Sequence, residues 1–307
     1  MKVLVTGGAG FIGSHLVEAL LKRSIETHLL IRKSTNLWRL KDVEKEVTFH
    51  TVEASQLAAL FEKYQFDGVI HLATKYVKNE SSISEVAEMV YSNIEFPSLL
   101  LETAVRAKTK FFLNTGTCFE YELTASPINE NSRESAYNFY AATKLAFEQL
   151  LKFETEKKNI KGLTLRLFYP YGPKDNEKLI VGIVNSLLQH AELSMTKGEQ
   201  LLSYTYVDDI VNGYLKTIDY IEQSSHYETI NLGNDKPVRI VNIVRKLEQS
   251  LGISLVRTSR DYPKNEIMHM VSDSSKASKL LNWKAEVDID EGLKRTVEYY
   301  LKINQTK

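Results

Sequence analysis

Short apolar runs and amphipathic stretches alternate through the first half of the chain. "KVLVTG" (2–7) is apolar and rich in β-branched residues, which predicts a buried strand. "FIGSHLVEALLKR" (11–23) sets Phe11, Ile12, Leu16, Val17, Leu20 and Leu21 at helical spacing. Strand patterns follow at "THLLIR" (27–32) and "VTFHTV" (47–52), then a helix at "ASQLAALFEKYQ" (54–65) and a strand at "DGVIHLA" (67–73). A long helix is expected over 84–107, a strand at "KFFLNTG" (110–116), a helix over 138–158 and a strand at "GLTLRLFY" (162–169). Such a rhythm with short connections predicts an α/β fold, a doubly wound parallel sheet covered by helices on both faces.

The rhythm breaks after Tyr169. "YPYGPKDNEK" (169–178) holds two prolines and a glycine and reads as a loop. Beyond it, helical patterns at 178–190, 208–223, 240–252 and 290–302 mix with short strands. The division expected is 1–169 for the larger lobe and 170–307 for a smaller mixed α/β lobe that binds substrate. With neither an internal repeat nor a low-complexity linker, the lobes should share one interface, and the second is free to interleave with the first. In folds of this class ligands lie beyond the carboxyl ends of the strands, so a cleft between the lobes is the expected site.

Composition narrows the classes. A chain of 307 residues with 43% apolar residues can bury a substantial core. Its formal charge is zero, so no broad basic field points to nucleic acid. One cysteine, Cys118, excludes an internal disulfide framework and suits a reducing, cytoplasmic setting. No apolar run approaches the roughly 18–20 residues of a membrane span, and "MKVLVTGG" reads as a first strand rather than a signal peptide. The histidines show no H-x-x-x-H spacing, so no metal is expected.

"TGGAGFIG" (6–13) joins the first strand to the first helix, with Gly7, Gly10 and Gly13 three apart. Gly7 permits a tight turn, Gly10 lets backbone approach a phosphate, and Gly13 lets helix and strand pack closely. The helix N-terminus behind them offers free N–H groups and partial positive charge to a pyrophosphate. This is the Rossmann dinucleotide pattern. A carboxylate after the second strand would favour NAD; here Arg32, Lys33 and Ser34 stand instead. An arginine there pairs with a 2′-phosphate, so NADP(H) is the expected cofactor, with NAD(H) as the alternative.

"YAATK" (140–144) puts Tyr140 one helical turn before Lys144. The arrangement is either ordinary helix surface or a proton donor with the cation that tunes it. A phenol has a pKa near 10, and a neighbouring ammonium favours its ionised form.

With the glycine loop, "HLA" (71–73) and this pair, the chain resembles the extended short-chain dehydrogenase/reductase family, whose members mostly act on nucleotide-activated sugars. "LRLFYPYGP" (165–173), "YTYVDDI" (204–210), "INLGNDKPV" (230–238) and "NWKAEVDIDEGLKRTVEYY" (282–300) resemble that family's later signatures, in order. The resemblance implies hydride transfer at a sugar carbon, with Tyr140, Lys144 and Thr115 as catalytic residues. Tyr140 would exchange the proton, Lys144 would bond the nicotinamide ribose, and Thr115 would polarise the sugar oxygen. It implies cofactor contacts from Gly7, Gly10, Phe11, Ile12 and Gly13, from Leu72, Ala73 and Thr74, and from Asn93, Tyr140, Lys144 and Phe168. Thr117, Tyr169, Lys178 and Arg239 are the candidates for substrate. A homodimer through the two long helices is also implied.

Departures from the family pattern sharpen the expectation. Relatives that dehydrate sugars carry an Asp-Glu pair where this chain has Gly116 and Thr117, which argues against a dehydratase. Tyr169 replaces an Asn, and Leu202 an Arg, that contact substrate phosphates in many relatives. "NTGT" with "YAATK" looks most like the CDP-sugar 4-ketoreductases. The expected activity is therefore NADP(H)-dependent reduction of a 4-keto nucleotide-activated deoxysugar. A nucleotide-sugar epimerase with bound NAD is the alternative, and a dinucleotide-sensing regulator without turnover a third.

Other residues carry plainer expectations. His71 reads as a core residue, His15 as half-buried near the glycine loop and Trp283 as an anchor of the second lobe. Asp208 and Asp209 read as helix caps. Cys118 faces either the substrate or the strand packing.

Overall fold

The computed structural model describes residues 1–77 and 82–305. The strands are β1 (Lys2–Thr6), β2 (Glu26–Leu30), β3 (Thr48–His50), β4 (Gly68–His71), β5 (Phe111–Thr117), β6 (Lys161–Leu167) and β7 (Pro170–Tyr171). They continue as β8 (Leu193–Met195), β9 (Leu201–Leu202), β10 (Thr205–Tyr206), β11 (Glu228–Leu232), β12 (Val238–Arg239), β13 (Val256–Thr258) and β14 (His269–Met270). The helices are α1 (Phe11–Lys22), α2 (Leu57–Tyr64), α3 (Ile83–Val90), α4 (Phe96–Arg106) and α5 (Phe139–Glu156). The later ones are α6 (Leu179–Leu188), α7 (Val207–Ile221), α8 (Ile240–Leu251), α9 (Ser275–Leu281) and α10 (Ile289–Gln305).

Seven strands form a parallel sheet in the order β11-β6-β5-β4-β1-β2-β3. The order reverses beside β1, with β2 and β3 to one side and β4 to β6 to the other, which opens a crevice at the carboxyl ends. Burial on both faces explains why the sheet strands read as continuous apolar runs. Val5 pairs with Leu29 and Ile70. Phe111 and Leu113 of β5 pack with Leu16, Val17 and Tyr214 from α1 and α7. Phe112, between them, points the other way to Leu60, Leu101 and Phe147 from α2, α4 and α5.

The chain does not divide simply at residue 170. Strand β11 pairs with β6, and α7 packs against α1, so both complete the sheet's layers from the second half of the sequence. Helix α9 packs on β11 and α7, while the small sheets β12-β9-β14 and β13-β8 bring β8 and β9 to the cleft at the carboxyl ends. The helix expected over 84–107 runs without interruption over 83–106, with one π-helical turn, Tyr91–Glu95, between α3 and α4. Helix α9 had no clear periodicity and was not expected. Among the described residues no helix is long and apolar enough to cross a membrane.

Candidate active site

The glycine loop takes its shape from close backbone contacts. Gly7 lies at φ +72°, and a Cβ there would stand 2.6 Å from the Ala73 nitrogen just past β4. A Cβ on Gly13 would meet the Gly7 oxygen at 2.2 Å. Helix α1 begins without a side-chain cap and without an acid in its first turn. Its leading N–H groups therefore face the cleft with no side-chain acceptor, an arrangement suited to a pyrophosphate.

The cleft measures about 1980 Å³. Pockets for single small ligands span about 300–1,000 Å³, so this one has room for a dinucleotide and a second ligand of similar class. At one end it is lined by the exposed turn Arg32, Lys33 and Ser34, closed by a hydrogen bond from the Thr35 nitrogen to the Arg32 oxygen at 3.0 Å. Glu53, beyond β3, lines the same end. Phe11, Ile12, Leu72, Ala73 and Thr74 line it too, as do Met195, Tyr204 and Arg260.

Tyr140 sits in the first turn of α5, whose cap Asn138 accepts from the Ala141 nitrogen at 2.9 Å. Its ring lines the cleft and meets the edge of Tyr76, with centroids 4.9 Å apart. Burial pushes the phenol above its ordinary range, the Glu120 charge adds to this, and a hydrogen bond with Thr74 opposes it. Lys144, one turn on, is 2% exposed and stands behind the cleft wall. Burial lowers its pKa, against the pull of Glu120 and Glu148. Thr115 lines the cleft and shares a 2.5 Å hydrogen bond with the Tyr214 hydroxyl. Thr117 also lines it, with its hydroxyl accepting from the Phe119 nitrogen at 3.3 Å.

A buried ionic cluster supports this wall. Arg166 reaches Glu120 at 2.8 Å, Glu148 at 2.7 Å and Glu134 at 2.5 Å, and lies 4.5 Å over the Tyr121 ring. Glu120 also accepts from the Thr117 nitrogen at 2.8 Å. Burial, reinforced by Glu148, raises the Glu120 pKa well above the usual carboxylate range. The cluster leaves no room for a side chain at Gly116: a Cβ would stand 2.7 Å from Glu148 Oε1 and 2.9 Å from Arg166 Cγ.

Asn93 lies in the π turn, a distortion common at functional sites. Its Oδ1 accepts from Thr74 Oγ1 and the Lys75 nitrogen, and its Nδ2 donates to the Lys75 oxygen and Thr143 Oγ1, all at 2.9 Å. It ties the loop after β4 to α5 one residue before Lys144.

Four residues expected to contact ligands, Asn93, Lys144, Phe168 and Arg239, do not line the cleft in this conformation. The Asn93 side chain spends its bonds on the protein and does not line the cleft. Phe168 is fully buried in the core. Arg239 donates to the Glu199 oxygen at 2.6 Å. Lys144 reaches no cleft surface in this conformation. Lys178 lines the cleft with its ammonium 5.6 Å from the Phe11 ring centroid, and Tyr169 lines it at φ +35°.

The other residues are also placed. His71 is buried against Thr6 Oγ1 at 2.7 Å, and His15 bonds the Pro173 oxygen at 2.8 Å. Trp283 donates to the Asp209 oxygen at 2.9 Å. Asp209 does not cap α7; it accepts from the Glu286 and Val287 nitrogens, while Asp208 meets Arg295. Cys118 is 2% exposed, and burial pushes its thiol up to about 12. Tyr76, Tyr137, Tyr204, Arg260 and Glu266 line the cleft without having been expected. A tyrosine three residues before Tyr140 was the one local signal available for any of them.

Comparison with known proteins agrees with this architecture. Residues 3–233 match the model of the NAD dependent epimerase/dehydratase family. UDP-glucuronate 4-epimerase of Thermodesulfobacterium geofontis is 30% identical over 96% of this chain and 95% of its own. CDP-abequose synthase of Salmonella typhimurium is 27% identical over 96% and 97%. The crystal structure of UDP-glucuronic acid 4-epimerase from Bacillus cereus, in complex with UDP-glucuronic acid and NAD, superposes with a TM-score of 0.89. That alignment is 26% identical and covers 99% of this chain and 100% of that one.

Proposed function

As the chain belongs to the NAD-dependent epimerase/dehydratase family, we propose that it is an NADP(H)-dependent reductase of a 4-keto nucleotide-activated deoxysugar. The observation that carries the reading is Tyr140, a cleft-lining phenol in the first turn of α5 and one helical turn before Lys144, placed to give a proton to a bound carbonyl. Gly116 adds to it. An acid at this position, which the resemblance associates with sugar dehydration, is excluded by Glu148 and Arg166.

When bound, the cofactor supplies hydride to the carbonyl carbon. The chain's own residues have the following roles in this reading. The loop Gly7 to Gly13 and the N–H groups of α1 hold the pyrophosphate, and Leu72, Ala73 and Thr74 form the adjoining wall. Arg32 and Lys33 receive the 2′-phosphate of NADP(H). Tyr140 protonates the sugar's 4-oxygen, Thr115 donates a hydrogen bond to it, and Lys144 supplies positive charge behind them. Lys178 and Arg260, both cleft-lining cations, meet the sugar's diphosphate. Tyr76, Cys118, Tyr137 and Tyr169 give the cleft around Tyr140 an aromatic, uncharged wall, which suits a deoxysugar. CDP is the preferred nucleotide in this reading, in line with the similarity to CDP-abequose synthase.

The similarity to UDP-glucuronate 4-epimerase favours a second reading, an epimerase that retains NAD. Either enzyme is proposed to act as a homodimer through α3–α4 and α5, where Tyr91, Leu99, Leu150 and Phe153 are exposed apolar residues.

The test is incubation with CDP-, dTDP- and UDP-linked 4-keto deoxysugars and either NADPH or NADH, following the reduced-nicotinamide absorbance. Stoichiometric oxidation, faster with NADPH, supports the reductase. Interconversion of UDP-sugar epimers with no net cofactor change replaces it with the epimerase. A preference for NADH overturns the part assigned to Arg32.

A further inference from the structure

Tyr214 lies on α7, in the second half of the sequence, yet its hydroxyl reaches beneath the end of β5. The side chain is fully buried, and among the described residues its hydroxyl pairs with Thr115 Oγ1 at 2.5 Å. Thr115 is half-buried and lines the cleft, and its hydroxyl is bonded to Tyr214. Tyr140 is near enough for its charge to weigh on Tyr214. Thr115, bonded to Tyr214, thus lines the same cleft as Tyr140.

The direction of the bond follows from acidity. A phenol is a far stronger acid than an aliphatic alcohol, so the favoured arrangement has the Tyr214 O–H donating and Thr115 Oγ1 accepting. A threonine hydroxyl has one hydrogen and two lone pairs. Once a lone pair is taken by Tyr214, its hydrogen turns elsewhere, and the cleft is the open side. Accepting a bond also makes the alcohol a better donor, because chained hydrogen bonds polarise one another.

We propose that Tyr214 is a positioning residue: by donating to Thr115 Oγ1 it commits the Thr115 hydrogen to the substrate oxygen that Tyr140 protonates. The inference rests on the assignment of Thr115 to the reacting oxygen. It also ties the chemistry to α7, since a shift of that helix moves the donor behind Thr115.

A double-mutant cycle tests it. Tyr214→Phe keeps the ring and removes one oxygen; Thr115→Val removes the hydroxyl it acts through. Wild type, both single variants and the double variant are compared for kcat, KM and reduced-cofactor affinity, with thermal melting as the check on folding. Tyr214→Phe is expected to lower kcat about tenfold while KM and cofactor affinity stay within about twofold. In the Thr115→Val background the same substitution should have no further effect on kcat, and in Thr115→Ser it should again cost about tenfold. Equal losses in the wild-type and Thr115→Val backgrounds, or no loss in either, overturn the proposal while leaving the reductase reading intact. Absence of turnover by wild type with every sugar of the panel overturns that reading, and this proposal with it.

Discussion

Replacing Asn93 with Ala removes four hydrogen bonds of 2.9 Å from the wall that carries Tyr140. Their loss is uneven. Thr143 keeps its own bond to the Tyr140 oxygen at 2.6 Å, and Thr74, exposed at the cleft, finds water. The Lys75 nitrogen and oxygen lose their bonds to the Asn93 side chain, which is 1% exposed. At about 0.5–1.5 kcal/mol net for each bond, with more for buried groups left unpaired, the cost is about 2–4 kcal/mol. A chain of this length has an unfolding entropy of about 0.6 kcal/mol/K, so melting should fall by about 3–6 °C. Activity should suffer separately. Thr74 bonds the Tyr140 phenol, and Asn93 is what fixes Thr74. We expect kcat to drop about tenfold with a smaller change in KM. Differential scanning calorimetry and steady-state kinetics on the same preparation check both numbers. A melting point within about 1 °C of wild type, with kcat unchanged, would refute the view that Asn93 organises this wall.

Two further outcomes are expected. Gly13→Ala places a methyl group 2.2 Å from the Gly7 oxygen, so it should displace α1 from β1 and weaken cofactor binding at least tenfold, measured by isothermal titration. Acid should destabilise the fold through His50, which is 8% exposed and bonds His28 at 2.7 Å. Burial, with the charges of His28 and Lys63, lowers its pKa from 6.5 to about 4. The folded state therefore binds fewer protons than the unfolded state between these values. This contribution is complete above pH 6.5 and is lost as pH falls towards 4, up to about 3 kcal/mol. Chemical denaturation at several pH values should show His50→Gln with a flatter profile across that window.

The sheet was legible because its strands are buried on both faces and its helices on one, and the two periods differ. The glycine loop was legible for a related reason: contacts as close as those of Gly7 and Gly13 admit no other residue. The π turn was not, since α3 and α4 keep one apolar stripe through it and only the buried bonds of Asn93 mark the extra residue. Nor was the way β11 and α7 return to the first lobe, which depends on the pairing of β11 with β6, about 65 residues earlier, and the packing of α7 on α1, about 200 residues earlier. The burial of Phe168 and the bond of Arg239 to the Glu199 oxygen could not be read from the sequence, because residue type and local spacing do not fix the direction of a side chain at a strand end. Arg260 and Tyr214 went unseen because each reaches its position through tertiary packing alone.

The central claim is that Tyr140 gives the proton. Its most direct test is Tyr140→Phe, measured for reduced-cofactor binding, substrate binding and turnover across pH 6–10. The account predicts that both ligands bind within about twofold of wild type, that turnover falls by at least about a hundredfold, and that the wild-type rate declines only on the alkaline side. Turnover by Tyr140→Phe near the wild-type rate, with the same pH profile, would contradict it.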